Sequence, residues 1–323
     1  MPGFPGLPSL SLRQLSEAPV ARQVFRRLRH EQDQLRAAIG RLEVHLMDVR
    51  PRPTRLADAE FSVFSQYGED GIIQHLVREA KVEHTTFVEI GTGDYSESNT
   101  RFLVENDNWR GLAVNGGDDH VRFVASSGLG WRHDVEPVSA FVTRDNVDAL
   151  ISDHGLTGPI GLLSMDVDGV DYWLLDAITV VEPTILVAEY NALFGPDARV
   201  TVPYDPAFVN TEAHWSATYF GASLGALVHL ATSRGYRFVG CSSNGVNAFF
   251  VKDEAAGDLP ALTAREGFRE GRYLTARNRD GSPARMRGVG DRLRVIADLP
   301  LVDVTNGEQR PVAEAVPVWD DAR

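Results

Sequence analysis

Five oxygen-bearing side chains fall at the ends of two apolar runs. Asp166, Asp168 and Asp171 lie in SMDVDGVDYW (164–173), and Glu189 and Asn191 in AEYN (188–191). The runs before them, IGLLSMDV (160–167) and TILVAEY (184–190), read as buried parallel strands. Neighbouring strand ends lie about 5 Å apart, so these groups are expected to converge. Carboxylates that close repel and call for a cation or protons. An all-oxygen set suits Mg²⁺ or Mn²⁺ rather than zinc, so Asp166, Asp168, Glu189 and Asn191 are candidate ligands. Such an ion could hold two adjacent oxygens of a diol and lower a hydroxyl pKa. The structural alternative is that Asp166 and Asp168 cap the next helix and order the loop. Asp168, Asp171 or His214, in TEAHWSATYF, is the candidate proton acceptor, with His120 and His133 weaker choices. Tyr190, Tyr204, Trp215 and Tyr219 form an aromatic wall or core, with core favoured for Tyr190 and Tyr219.

A second candidate site is the loop in FVEIGTGDYSESNT (87–100). In an open α/β sheet, ligands sit beyond the carboxyl ends of the strands, and this is the first such end. Gly91 and Gly93 allow a sharp turn and a close backbone approach, with Glu89 just before them. The third glycine of a dinucleotide fingerprint is missing, because Ser96 stands there. A cofactor without a pyrophosphate therefore fits better. S-adenosylmethionine would set its cationic amino-acid end against Glu89 and its ribose over the glycines. The next strand, GLAVN, ends at Asn115, where ribose-binding sheets usually carry a carboxylate. An NAD-dependent dehydrogenase or epimerase is disfavoured by the same missing glycine and by the ending of the sheet.

Strands and helices alternate from Phe61 onward. Strands are expected at 86–91, 111–115, 138–142, 160–167 and 184–190, with a helix of about twenty residues at 216–234. Two last strands, 236–241 and 246–252, are joined by an SSNG turn. The fold class is α/β: a doubly wound, seven-stranded, mostly parallel sheet, Rossmann-like and closed by a hairpin, with an N-terminal helical arm. The organisation reads as a helical arm at 1–55, an α/β domain at 56–255 and an extension at 256–323 packing on it, in which LPLVDV (299–304) adds an edge segment.

In the arm, Phe25, Leu28, Leu35, Ile39, Leu42, Leu46 and Val49 follow alternating three- and four-residue steps, with Gln32 the polar member. The helix is either an oligomerising coiled coil, giving a homo-oligomer, or an amphipathic helix packed on its own domain. Residues 1–55 hold ten arginines and five acids, a net of +5, and the remainder nets −18 of a total of −13. An acidic body disfavours nucleic acid as partner. One cysteine, Cys241, excludes a disulfide framework. No secretory leader is evident in MPGFPGLPSLSL and no apolar run would span a bilayer, so the chain is expected to be cytoplasmic and free of membrane.

SQYGEDGI (65–72), FVEIGTGDYSESNTRFL (87–103), WRGLAVNGG (109–117), SMDVDGVDYWLL (164–175), AEYNALFGP (188–196) and VPYDPAF (202–208) resemble a bacterial group of class I S-adenosylmethionine-dependent methyltransferase-like proteins, related to the FkbM-type sugar and polyketide O-methyltransferases. The resemblance spans roughly residues 60–252. It implies that Gln66, Tyr67 and Glu69 help close the cofactor pocket and that Glu89, Gly91 and Gly93 line it. It also implies that Asn115 stands at the ribose position and that residues 143–146, with Asp145, lie near adenine. The sequence departs from the family at Asn115, which has no charge to strengthen a ribose hydrogen bond, unless Asp118 or Asp119 reaches back. The expected activity is methyl transfer to a hydroxyl of a sugar or natural-product small molecule, with Mg²⁺ or Mn²⁺ as a helper. The alternative is a non-catalytic assembly or regulatory protein on the same fold.

Overall fold

The computed structural model describes residues 19–272, 276–286 and 288–316. The leader reading and residues 1–18 of the arm lie outside them, as does the side chain of Phe25. The chain begins with a long helix, α1 (Pro19–Met47). Then follow α2 (Glu69–Glu79), β1 (Thr86–Ile90), α3 (Arg101–Asp107), β2 (Arg110–Asn115), α4 (Asp119–Ser127), α5 (Leu129–Arg132) and β3 (Val135–Ser139). After them come α6 (Val147–Asp153), β4 (Gly158–Met165), α7 (Asp171–Ala177), β5 (Val181–Glu189), β6 (Val200–Thr201) and α8 (Asn210–Ala213). The remaining elements are α9 (Leu224–Ser233), β7 (Tyr236–Cys241), β8 (Asn247–Lys252), α10 (Ala264–Gly267), α11 (Val289–Val295), β9 (Pro300–Asp303), β10 (Gln309–Pro311) and α12 (Val312–Ala315).

Seven strands form one sheet in the order β3-β2-β1-β4-β5-β8-β7. The pairs among β1–β5 are parallel, and β8 runs antiparallel between β5 and β7. This is the expected Rossmann-like fold, a doubly wound, seven-stranded, mostly parallel sheet with one reversed strand. Strand order reverses between β1 and β4, so the carboxyl ends of β1, β2 and β4 frame the crevice where such sheets bind ligands. Apolar clusters on the two faces of the sheet cover it, one centred on Val88, Leu163, Leu186 and Phe250, the other on Phe87, Leu162, Ile185 and Phe249. Alternate residues of one strand thus enter opposite layers, as the pleat requires. No helix among the described residues is long and apolar enough to cross a membrane.

Several boundaries differ from the sequence reading, among them the start of β5, at Val181 rather than 184. β3 begins at Val135, not 138, and contains Pro137. A proline weakens a strand reading, but β3 is the sheet edge, where a missing N–H costs little. Residues 140–142 therefore run past the strand. The helix expected at 216–234 starts only at Leu224, capped by the Ser223 side chain, which accepts from the Ala226 N–H. Ala217 and Gly221 adopt positive φ ahead of it and break the helical path. LPLVDV does not edge the main sheet. β9 is the middle strand of a separate sheet, β10-β9-β6, over a small cluster that includes Leu193, Phe194, Tyr219, Leu293 and Leu301.

The arm touches the body through Ala37, Gly40 and Val44, which meet Val63, Phe64 and Phe102. Arg101 fastens the contact. Its guanidinium donates to Asp33 on α1 (2.7 Å), to Glu105 (2.8 Å) and to the Ser96 carbonyl (2.9 Å), and stacks 3.8 Å from the Phe64 ring centroid. It is 3% exposed. Removing one partner of a buried ion pair strands the others, at about 3–5 kcal/mol. Arg101→Ala is expected to lower the unfolding free energy by about that amount, measured by urea denaturation.

Candidate functional site

The crevice forms because two strand ends are pressed together. The Gly91 N–H donates to the Val114 carbonyl (2.8 Å), and the Asp166 N–H donates to the Ile90 carbonyl (2.9 Å). Gly91 has φ +92°, and a Cβ there would overlap the Asp166 carbonyl. Gly91 is therefore required by β4 as much as by any ligand. Gly93 (φ +56°) has open space where a Cβ would be. Both line a cavity of about 280 Å³, with Asn115, Gly116, Phe141, Val142, Asp166, Asp168 and Phe208. That is close to the lower end of small-molecule pockets, roughly 300–1,000 Å³. Larger hollows lie elsewhere. One of about 1030 Å³ runs between α1 and α4–α5, and an apolar one of about 460 Å³ lies between α7 and α9; neither holds the acidic groups.

The acidic side chains do not behave alike. Asp166, Asp168 and Glu189 present oxygens within 4.8 Å of one another. Asp166 and Asp168 also line the cavity. Glu189 is buried, and its Oε2 has no hydrogen-bond partner. Burial, then the charges of Asp168 and Asp171, hold the Asp166 carboxyl well above the carboxylate range. Burial, then Asp166 and Asp168, do the same to Glu189. Asp168 has part of its side chain in water, and partial desolvation at the crevice wall raises it too; its φ of +54° places it in the left-handed region. Asp tolerates that region better than most residues, at some cost.

Asp171 is different. It accepts from the Val167 N–H (2.7 Å) and the Gly169 N–H (3.0 Å), so it orders the loop that carries Asp168. Burial nevertheless raises its pKa to about 6. The loop-ordering duty offered above as the alternative for Asp166 and Asp168 is thus performed by Asp171. Asn191 does not reach the cluster. Its Nδ2 donates to the Thr218 and Phe220 carbonyls, and its oxygen accepts from the Leu193 N–H, capping a short 3-10 turn. It is a corrected ligand assignment: its polar atoms are consumed by backbone.

Several expected pocket residues are structural too. Glu89 accepts from Ser98 Oγ (2.7 Å), the Asn99 N–H (2.9 Å), the Thr100 N–H (3.2 Å) and Thr100 Oγ1. Both its oxygens face the 98–100 segment rather than the cavity. Glu69 accepts from the Tyr67 N–H (3.0 Å) and Asn247 Nδ2 (3.1 Å). Gln66 is exposed, and neither it nor Tyr67 lines the cavity. Burial, then the charge of Glu69, raises the Tyr67 hydroxyl pKa, and the charge of Glu189 adds to it. Asp145 is exposed and apart from the cavity, whose wall beyond β3 is Ala140, Phe141 and Val142. His214 also lies off the cavity. Its Nδ1 bonds Ser216 Oγ (2.7 Å), and burial, then Arg279, depresses its pKa. His120 bonds the Val138 carbonyl (3.0 Å) and His133 the Asn108 side chain (3.3 Å).

Asn115 stands at the end of β2 and lines the cavity, and its side chain has no hydrogen bond among the described residues. Asp118 and Asp119 both pair with Arg122 on the outside of α4 and do not line the cavity. Two aromatic residues escaped the sequence reading. Phe141 is 54% exposed although it borders the cavity. Phe208 packs over Gly169 from the 202–208 segment. Their signal was present in VSAFV and VPYDPAF, once the strand is ended at Ser139. Tyr190 and Tyr219 are core residues, their hydroxyls donating to the Arg269 and Pro300 carbonyls. Tyr204 and Trp215 pair with Trp173 and His214, respectively, away from the cavity.

No protein-family model matches the chain, and no curated protein matches it. Solved structures do. The chain is similar to the pyocyanin biosynthetic protein PhzM at 12% identity and TM-score 0.33, over 56% of this chain and 54% of that one, about half its length. It is similar to a precorrin-6y C5,15-methyltransferase from Geobacter metallireducens at 13% identity and TM-score 0.34, over 60% and 92%. It is also similar to an O-methyltransferase from Bacillus cereus, solved in complex with SAH, at 16% identity and TM-score 0.37, over 65% and 94%.

Like charges packed without compensation weaken a fold, and removing one relieves it. Glu189→Gln keeps the shape and deletes a charge or shared proton. In metal-free buffer it is expected to raise stability by about 1 kcal/mol, read as a higher melting temperature.

Proposed function

We propose that this chain is an S-adenosylmethionine-dependent O-methyltransferase acting on a hydroxyl of a sugar or natural-product small molecule. One observation carries the reading. The two aspartates that line the crevice, Asp166 and Asp168, are also two members of the acidic triad. Cofactor space and oxygen-handling groups are thus neighbours. The acceptor class rests on the motif resemblance.

The residues fit the cofactor in part. Gly93 leaves room for a close ligand, Asn115 offers one donor and one acceptor to a ribose, and the exposed Phe141 ring offers a flat apolar face for adenine. Methyl transfer from a sulfonium is a direct displacement, so the protein must align the hydroxyl and accept one proton. Asp168, the exposed member of the triad with a raised pKa, is the proton acceptor in this reading. Asp171 holds the Asp168 loop in place.

A divalent cation also fits. Three carboxylates meet within 4.8 Å, and the unpartnered Glu189 Oε2 is the kind of buried oxygen that a cation satisfies. Asp166, Asp168 and Glu189 would hold Mg²⁺ or Mn²⁺, which would lower the pKa of an acceptor hydroxyl. Asn115 favours a second reading, a non-catalytic assembly or regulatory protein, because it lacks the charge of a ribose-gripping carboxylate.

Calorimetry separates these readings. S-adenosylmethionine is expected to bind the wild-type chain, and Asn115→Asp to bind it about tenfold more tightly, the gain from one charged hydrogen bond. Absence of heat with both proteins would sink the methyltransferase reading. Titration with Mn²⁺ alone is expected to give binding that Asp168→Asn weakens at least tenfold. A silent titration would remove the cation and leave the cofactor reading standing.

A further inference from the structure

The seam of α1 faces water. Leu28, Leu35, Ile39, Leu42 and Leu46 are between 37% and 66% exposed, and Val49, in the turn just past the helix, is 77% exposed, whereas Ala37 and Gly40 on the opposite side are buried against the body. The helix is thus apolar on two faces and occupied on one. A contiguous stripe of five large aliphatic side chains on one helix is more than a lone chain ordinarily leaves in water.

Its order is that of a heptad repeat. Gln32, Ile39 and Leu46 take the a positions, and Leu28, Leu35, Leu42 and Val49 the d positions. Isoleucine at a with leucine at d favours two strands, and a single polar residue at a fixes register. From Leu28 to Leu46 the helical seam is roughly 27 Å long at 1.5 Å per residue. The body-facing residues Asp33, Ala37, Gly40 and Val44 fall at b and f, away from the seam.

We propose that α1 pairs with the α1 of a second copy of this chain as a parallel two-stranded coiled coil, with the two bodies held on the outside. Parallel pairing places Gln32 against Gln32, where each amide can donate and accept. Antiparallel pairing would set that amide against a leucine and leave it unsatisfied. Parallel pairing also brings Glu31, at g, to Arg36, at the following e of the other copy. Arg36 has no ion pair of its own among the described residues, and Glu31 here reaches only Arg27 within the helix. The flanking charges, Arg29, Glu31, Arg36 and Glu43, are of mixed sign, which suits self-pairing better than a uniformly charged partner.

Light scattering on the full chain of 35.5 kDa tests this. The expected mass at micromolar concentration is that of two chains. Leu35→Glu combined with Leu42→Glu is expected to give one chain with unchanged circular dichroism, because neither side chain is buried in the body. Leu28→Cys and Leu42→Cys, made separately, are each expected to crosslink under mild oxidation, while Cys241 is buried and does not compete. An antiparallel pair could self-crosslink at one of those sites at most. A single-chain mass for the wild type would overturn the proposal and assign the seam to a different protein. A dimer surviving the double substitution would overturn it by moving the interface elsewhere. A dimer crosslinking at only one site, or neither, would overturn the parallel arrangement.

Discussion

Gly91 has no side chain, and the carbonyl of Asp166 lies where one would begin. That contact lets β1 and β4 stay in register to their last residues, Ile90 against Met165. The consequences run outward from it. The loop after β1 turns away at once, which opens the crevice under Gly93. The chain leaving β4 carries Asp166 and Asp168 to the crevice wall. A bulkier residue at position 91 would separate the strand ends and disperse the groups that make the site. The chemistry of the site thus depends on a backbone contact that involves no functional group.

Around that contact, carboxylates of the same type divide into two populations according to where backbone N–H groups point. Asp70 accepts from the N–H groups of Val63, Phe64 and Ser65, Glu89 from those of Asn99 and Thr100, and Asp171 from those of Val167 and Gly169. These carboxylates shape loops. Asp166, Asp168 and Glu189 have no such donors; Asp166 and Glu189 hydrogen-bond each other, and burial with the neighbouring charges holds both carboxyls well above the carboxylate range. The fold spends backbone donors on Asp70, Glu89 and Asp171 and none on this neighbouring triad, which leaves its oxygens to one another and to whatever enters the crevice.

That division explains what the sequence could and could not reveal. Strand–helix alternation, the reversed strand and the convergence of Asp166, Asp168 and Glu189 follow from apolar runs and from where they end, which are local properties. Whether a carboxylate is free depends on donors elsewhere in the chain. Glu69 is met by Asn247, 178 residues away, and Asn191 is consumed by Thr218 and Phe220. No spacing rule encodes such partners. Pro137 hid the start of β3, because its tolerance depends on the strand being an edge, a fact of topology. The late boundary in turn concealed Phe141. The seam of α1 was legible as a pattern. Which face the body takes was not, because the contact is made by small residues, Ala37 and Gly40, that leave little trace in a hydrophobic repeat.

Gly40 has a consequence for how the arm comes to be helical at all. A Cβ there would strike Val63 and Phe102, so the body demands glycine at that point. Yet glycine is among the poorest residues for the middle of a helix, about 1 kcal/mol worse than alanine. The price of close docking is an arm whose local order is conditional: detached from Phe102, α1 loses the contact that offsets its weakest residue. Docking on Val63 and Phe102 thus offsets the helix cost of Gly40, and a peptide cut from residues 19–47, which lacks that contact, would be less helical than the arm of the intact chain.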